Sequence, residues 1–244
     1  MAEDVSLRAP ADSVPAGAGT LGGFVRAVAA VVWKDLAAEW RSREVVAGMV
    51  VFALLAVLIF HFALEVEVER RPGVAAGVLW TTLAFAGTVG LSRSMAKEKD
   101  RDSLDGLLLA PVDRSAIFFG KAAANLIFVW IVAAVLLPIY GVLYNVSLFH
   151  PGLLASVALG TLGYTTVGTL LSAMAVQART REVLLPVLLF PVVLPVIVAG
   201  LSATEGFLSG WDAAEILLPL RLLVAYDVIF LAVGWMGFEF VIEE

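Results

Sequence analysis

The 244-residue sequence contains no cysteine and two histidines, His61 and His150. Without cysteine, the chain has no disulfide, no thiolate metal site, no cysteine nucleophile and no C-x-x-C-H haem-attachment motif. Two histidines are too few for a histidine-rich metal cage. Charged residues are also scarce, at 16% of the chain, and the net charge of −6 argues against nucleic-acid binding, which usually needs a basic face.

Apolar residues, by contrast, make up 61% of the chain, and the mean hydropathy is +0.95. A soluble domain is about half apolar and about a quarter charged, and it rarely exposes large apolar patches. A membrane-spanning helix needs about 20 apolar residues. We therefore predict an all-α, polytopic membrane protein with six transmembrane helices within residues 45–244. The predicted spans are 45–64, 73–92, 118–144, 153–176, 183–203 and 215–238.

The N-terminal region differs from the rest of the chain. Residues 1–22 are small and polar, lack the features of a signal peptide and predict a disordered, uncleaved cytoplasmic tail. Residues 23–44 predict an amphipathic helix with tryptophan at its border, which suits the membrane interface. Packing on another subunit is the alternative. The apolar face comprises Phe24, Val28, Val31, Val32, Leu36 and Trp40. We assign Arg26, Lys34, Asp35, Glu39, Arg41 and Arg43 mostly to the remaining arc.

Lysine and arginine are unevenly distributed between the two sides of the predicted membrane domain. With the N-terminus in the cytoplasm, three arginines, Arg70, Arg71 and Arg221, lie toward the outside, and the other basic residues lie in the cytoplasm. Because basic residues are enriched in cytoplasmic connections, this asymmetry predicts that both termini are cytoplasmic.

One long polar connection, residues 93–121, lies on the cytoplasmic side. It reads RSMAKEKDRDSLDGLLLAPVDRSAIFFGK. The elements S-L-D-G-L-L-L-A-P-V-D-R and I-F-F-G-K resemble the loop between the second and third spans of ABC-2-type permeases, and in particular of the cytochrome c maturation permease family CcmB. Asp102 departs from the pattern, because the family often has glycine before Ser-Leu. The proline-rich fifth span, the six-span plan and the start of the chain are also similar to that family.

The resemblance implies a permease subunit of an ABC transporter complex in the bacterial inner membrane. Its loop would be a coupling helix that docks on a CcmA-like ATPase, with CcmC-like and CcmD-like subunits beside it and the haem chaperone CcmE acting indirectly. A homodimer of the permease is a further expectation. Haem would be cargo, and ATP would bind the partner, since no G-x-x-x-x-G-K-[ST] motif occurs here. The implied docking residues are Glu98, Asp100, Arg101, Asp102, Ser103, Leu104, Asp105 and Gly106.

Four further side chains are candidates for function. Arg221 and Asp227 fall within the sixth predicted span, where charge is costly and indicates function or pairing. Pairing with another helix or subunit is our first interpretation, and Arg221 pointing outward to the interface is the alternative. His61 and His150 lie toward the outer side and are candidate haem ligands, although interfacial histidines are commoner. We predict no catalytic residue, no metal site and no cofactor held by this chain.

Three rival functions stay open. An ABC-2-type permease for a lipid, glycan or drug would carry a similar loop. Asp102 to Gly106 partly resemble the aspartate motif of CDP-alcohol phosphotransferases, but Pro111 follows Ala110 and the later acids are missing. A membrane scaffold would keep the spans but would need no coupling loop.

Overall fold

A computed structural model describes residues 21–64, 71–100, 113–147, 150–175 and 181–242. Its regular elements within these ranges are all α-helices. They are α1 (Leu21–Ser42), α2 (Glu44–Ala63), α3 (Arg71–Asp100), α4 (Arg114–Tyr144), α5 (Pro151–Ala175), α6 (Arg181–Ser209) and α7 (Ala213–Ile242). Six of the described helices, α2 to α7, are long and apolar enough to cross a membrane. The predicted all-α, six-span fold is therefore confirmed.

The six spans form one bundle with an inner and an outer set of helices. Helices α3 and α5 are mostly buried inside the chain, whereas α2 and α7 expose most of their apolar surface. Helix α5 packs against α4, α6 and α7, and α3 packs against α2, α4 and α6. Two apolar clusters fill the interior, one around α2, α3 and α4 and one around α5, α6 and α7. Lipid or partner subunits must cover the apolar outer faces.

Glycines in α5 allow this close packing, as small residues commonly do between membrane helices. An added Cβ at Gly160 would strike the Trp80 ring of α3, and one at Gly168 would strike Leu91. The α5 hydroxyls of Thr161, Thr165 and Thr166 donate hydrogen bonds to carbonyls of their own helix. These contacts support helix packing as the role of the small residues.

Several predicted boundaries differ from the structure. Helix α1 begins at Leu21 and ends at Ser42, and the break before α2 is Arg43, whose φ is 54°. Helix α3 continues to Asp100 and α4 begins at Arg114, so much of the predicted loop 93–121 is helical. Lysine and glutamate are good helix formers, and a span can extend beyond the bilayer where its residues become polar. The predicted tail up to residue 20 lies outside the described residues.

Candidate functional site

One end of the bundle, where α3 ends and α4 begins, carries the predicted docking segment. Glu98 and Asp100 lie in the last turns of α3, while residues 101–112, which include Arg101 to Gly106, lie outside the described residues. The segment is therefore framed by the end of α3 and the start of α4. Asp113 caps α4, since its Oδ1 accepts hydrogen bonds from Ser115 N at 2.9 Å and Ser115 Oγ at 2.6 Å.

Helix α1 lies against this same end of the bundle. It packs on α4 and, at its C-terminal end, on α2. Its buried positions are Val31, Asp35 and Glu39, which follow one another at one-turn spacing. Our assignment of Asp35 and Glu39 to the solvated arc was therefore wrong. Successive steps of four residues advance the helix by only about 40°, so both acids share the face of Val31.

Asp35 forms a buried ion pair with α4. Its Oδ2 lies 2.8 Å from Lys121 Nζ, and the two side chains are 9% and 2% exposed. Lys34 Nζ lies 3.4 Å from the other oxygen of the same carboxylate and is more exposed. An unpaired charge at either position would be costly to bury, so each charge stabilises the burial of the other.

Glu39, one turn further along α1, forms a second contact with a neighbouring helix. Its Oε1 accepts a hydrogen bond from Val46 N at 2.9 Å. Val46 is the third residue of α2, and the residue before that helix, Arg43, makes no side-chain capping bond. A helix start leaves its first amides without partners inside the helix. Glu39 therefore supplies the cap for the first span from a neighbouring helix.

The outward face of α1 fits the predicted interfacial position. Trp33 and Trp40 are both exposed, on the side opposite to Asp35 and Val31. Exposed tryptophans with nearby arginines are typical of helices at the lipid headgroup level. The placement of this helix in the membrane interface stays a prediction.

The two intramembrane candidates, Arg221 and Asp227, lie in different surroundings. Arg221 is exposed on α7, whereas Asp227, at mid-span, is 4% exposed. A Cβ added at Gly163 of α5 would lie 2.5 Å from Asp227 Oδ1, so the glycine makes room for the carboxylate. Neither carboxylate oxygen has a hydrogen-bond partner within the described part of the chain. The structure therefore buries Asp227 inside the bundle without an ion-pair partner from these residues.

The two histidines lie at the opposite end of the bundle and contact different neighbours. His61 packs edge-on against Phe62 and Tyr144. His150 Nδ1 accepts a hydrogen bond from Gly152 N at 3.2 Å, and its ring lies against Phe207. His150 also lines a cavity of about 400 Å³. Across the described residues, no group of three or more histidine, aspartate or glutamate side chains could hold a metal ion.

The most informative residues at this end were missed by sequence reasoning. Lys121 was identified only as a cytoplasmic charge and as part of the I-F-F-G-K element, and Asn125, one turn later, was not singled out. In the structure, Asn125 Nδ2 donates a hydrogen bond to Thr169 Oγ1 of α5 at 3.0 Å. A lysine and an asparagine at one-turn spacing on an apolar helix were the available signal, because both polar groups need partners when buried.

The fold defines a multi-pass membrane protein in which α1 contacts the starts of α2 and α4 through polar side chains. Comparison with known protein families identifies the family of the chain. The model of the family described as CcmB protein matches residues 26–242, from the first turns of α1 to the end of α7. The chain belongs to the CcmB family.

Individual relatives agree with this assignment. Heme exporter protein B of Rhodobacter capsulatus is 29% identical over 177 residues, covering 70% of this chain and 78% of the relative. The protein of the same name from Paracoccus denitrificans is 26% identical over 204 residues, covering 83% and 91%. That from Bradyrhizobium diazoefficiens is 24% identical over 209 residues, covering 85% and 93%.

Proposed function

We propose that this chain is the transmembrane permease subunit of a haem exporter that serves cytochrome c maturation. The family match over residues 26–242 carries the proposal, and relatives named heme exporter protein B support it. In this proposal haem is the cargo of the complex, and the complex releases haem-loaded CcmE. The chain lies in the bacterial inner membrane with both termini in the cytoplasm.

Energy for this process comes from a separate subunit. The sequence lacks the glycine-rich phosphate loop of ATPases, so a CcmA-like ATPase supplies hydrolysis in trans. The docking surface is the segment from Glu98 to Gly106. Its mixed charges suit a polar interface, and its position between α3 and α4 would let a bound ATPase move two spans. CcmC-like and CcmD-like subunits, and a second copy of the permease, would cover the exposed apolar faces.

The outer end is where haem would leave the permease. His61 and His150 are the candidate haem contacts there, because imidazole is a common axial ligand of haem iron. The cavity of about 400 Å³ beside His150 favours that residue over His61. We expect the His150→Ala variant to lose haem that co-purifies with the complex, while the His61→Ala variant keeps it, as measured by the Soret absorbance.

Deletion of the gene tests the function directly. We expect the deletion strain to make apocytochrome c but no holocytochrome c, as judged by haem staining of membrane proteins. A plasmid copy of the chain should restore haem attachment. Normal holocytochrome c in the deletion strain would contradict the proposal. That result, with an ATPase still co-purifying, would favour an ABC-2-type permease for another cargo.

Docking of the ATPase is tested separately. Simultaneous replacement of Arg101, Asp102 and Asp105 by alanine should abolish co-purification of the ATPase, because it removes three charges of the proposed interface. The exposed outer residues Asp212 and Glu215 provide a matched control, since their replacement should leave co-purification unchanged. If the ATPase still binds the triple variant, the docking assignment is wrong.

A further inference from the structure

Two acids on one turn of α1 connect that helix to two different spans. Asp35 pairs with Lys121 in α4, and Glu39 accepts the amide of Val46 in α2. Helix α1 is also joined to α2 through the single residue Arg43. The N-terminal helix therefore bridges the cytoplasmic starts of the first and third spans.

The backbone approach beside the ion pair is unusually close. A Cβ at Gly120 would lie 2.6 Å from Val31 Cβ and 3.2 Å from Val28 O, so a larger residue there would push α1 away from α4. Gly120 directly precedes Lys121. Close packing at Gly120 and pairing at Lys121 thus hold the same turn of α1.

The third span is the first span after the proposed docking segment, which ends at Gly106. Asp113 caps the start of α4, and Lys121 lies about two helical turns further on. A displacement of the docking segment that passes toward the third span acts on these two turns of α4. Because α1 is fixed to them, the displacement also reaches the start of α2.

An apolar contact would be enough to attach α1 to α4. Buried ion pairs are often replaceable by apolar residues without loss of stability, and the best-attested role of such groups is to fix one register. We propose that Asp35 and Lys121 are a positioning pair, which holds α1 in one register on α4 so that movement driven by the ATPase passes from the third span to the first. This inference rests on the proposed function.

Thiol cross-linking tests the pair, because the native chain contains no cysteine. In the Asp35→Cys/Lys121→Cys variant both charges are lost, and the yield of holocytochrome c should fall about tenfold. A factor of this size lies within the range that typical coupling free energies produce. The ATPase should still co-purify with the variant. A membrane-permeant bis-methanethiosulfonate reagent with a short spacer, added to cells, should restore the yield, and a reductant should remove the effect.

Three further variants separate positioning from folding. Asp35→Cys with Lys121→Met offers one thiol, cannot be bridged and should not respond to the reagent. Asp35→Asn keeps the volume of the side chain and should lower the yield to a similar extent, whereas Lys121→Arg keeps the charge and should preserve function. Membrane insertion of each variant is measured by the amount of monodisperse protein after solubilisation.

Two results would overturn the inference. One is a wild-type yield from Asp35→Asn with the ATPase bound, and the other is a cross-linked double variant that stays inactive. If the unmodified chain itself fails to restore holocytochrome c to the deletion strain, the proposed function fails instead. The positioning pair would then be judged by whether Asp35→Asn changes the ATPase rate of the purified complex.

Discussion

At the scale of single residues, the buried polar groups of this chain depend on partners from other helices. Lys121 pairs with Asp35 of α1, Asn125 bonds to Thr169 of α5, and Trp80 Nε1 donates to Thr204 Oγ1 of α6 at 3.0 Å. Each pair is distant in sequence. Spacing along one helix could identify a residue as polar and inward-facing, but it could not identify the partner.

Asp227 differs from these three residues, since neither of its buried carboxylate oxygens has a hydrogen-bond partner in the described residues. Burial of an uncompensated charge is costly, and more so at mid-membrane. We expect Asp227→Asn to raise the melting temperature of the detergent-solubilised protein, because the amide carries no charge and has nearly the same volume. A thermal-shift assay measures this.

The exposed residue Asp212 provides the control for that substitution. Asp212→Asn should leave the melting temperature unchanged. A lower melting temperature for Asp227→Asn would mean that the carboxylate has a stabilising partner in the assembled protein. In that case pairing with another subunit, our first interpretation of this residue, would gain support.

At the scale of helices, the six spans were predictable because each is a long apolar stretch. The residues on the inward face of α1 were not predicted correctly. Its apolar residues correctly predicted an amphipathic helix, but Asp35 and Glu39 share the face of Val31. A charge on the buried face of α1 is costly unless a neighbouring helix supplies its partner. The partners, Lys121 for Asp35 and the Val46 amide for Glu39, depend on how α1 packs against α4 and α2.

The packing of α5 against α3 leads to a prediction for Gly160. A side chain at Gly160 would strike Trp80, which is itself held by Thr204. We expect Gly160→Val to destabilise the protein by about 1–3 kcal/mol, the usual cost of overpacking a core. The melting temperature and the yield of monodisperse protein should both fall.

Gly237 in α7 provides a matched control for the same substitution. An added Cβ there meets nothing within 4 Å. Gly237→Val should therefore keep both the melting temperature and the yield close to wild type. Equal losses at the two positions would show that the helix propensity of valine, and not contact with Trp80, determines the effect.

At the scale of the whole molecule, the six spans place α1 and the end of α7 on the same side of the membrane, and the distribution of basic residues predicts that this side is the cytoplasm. The absence of cysteine allows a direct test. In spheroplasts, an impermeant maleimide should label Ser209→Cys, at the end of α6. It should label Arg26→Cys, on the exposed face of α1, only after permeabilisation.

The opposite labelling pattern would show that the orientation of the chain in the membrane is the reverse of the proposed one. The cytoplasmic ATPase would then face the end that carries His61 and His150. Labelling of both variants in intact spheroplasts would contradict the placement of an odd number of spans, α2 to α6, between these two positions. A third variant, Asn145→Cys, replaces an exposed residue at the end of α4. It should be labelled in intact spheroplasts, as Ser209→Cys is.

The sequence by itself determined that the chain is a six-span membrane protein and which family it resembles, and it predicted which side the basic residues occupy. These properties follow from composition, length and local motif, each of which is encoded in contiguous residues. The tertiary structure alone decided that α1 is bound by its acids to two spans, that Lys121 is buried and that Asp227 lies against Gly163. The physical reason is that burial of a polar group depends on which helix packs against it, and that contact joins residues far apart in the chain.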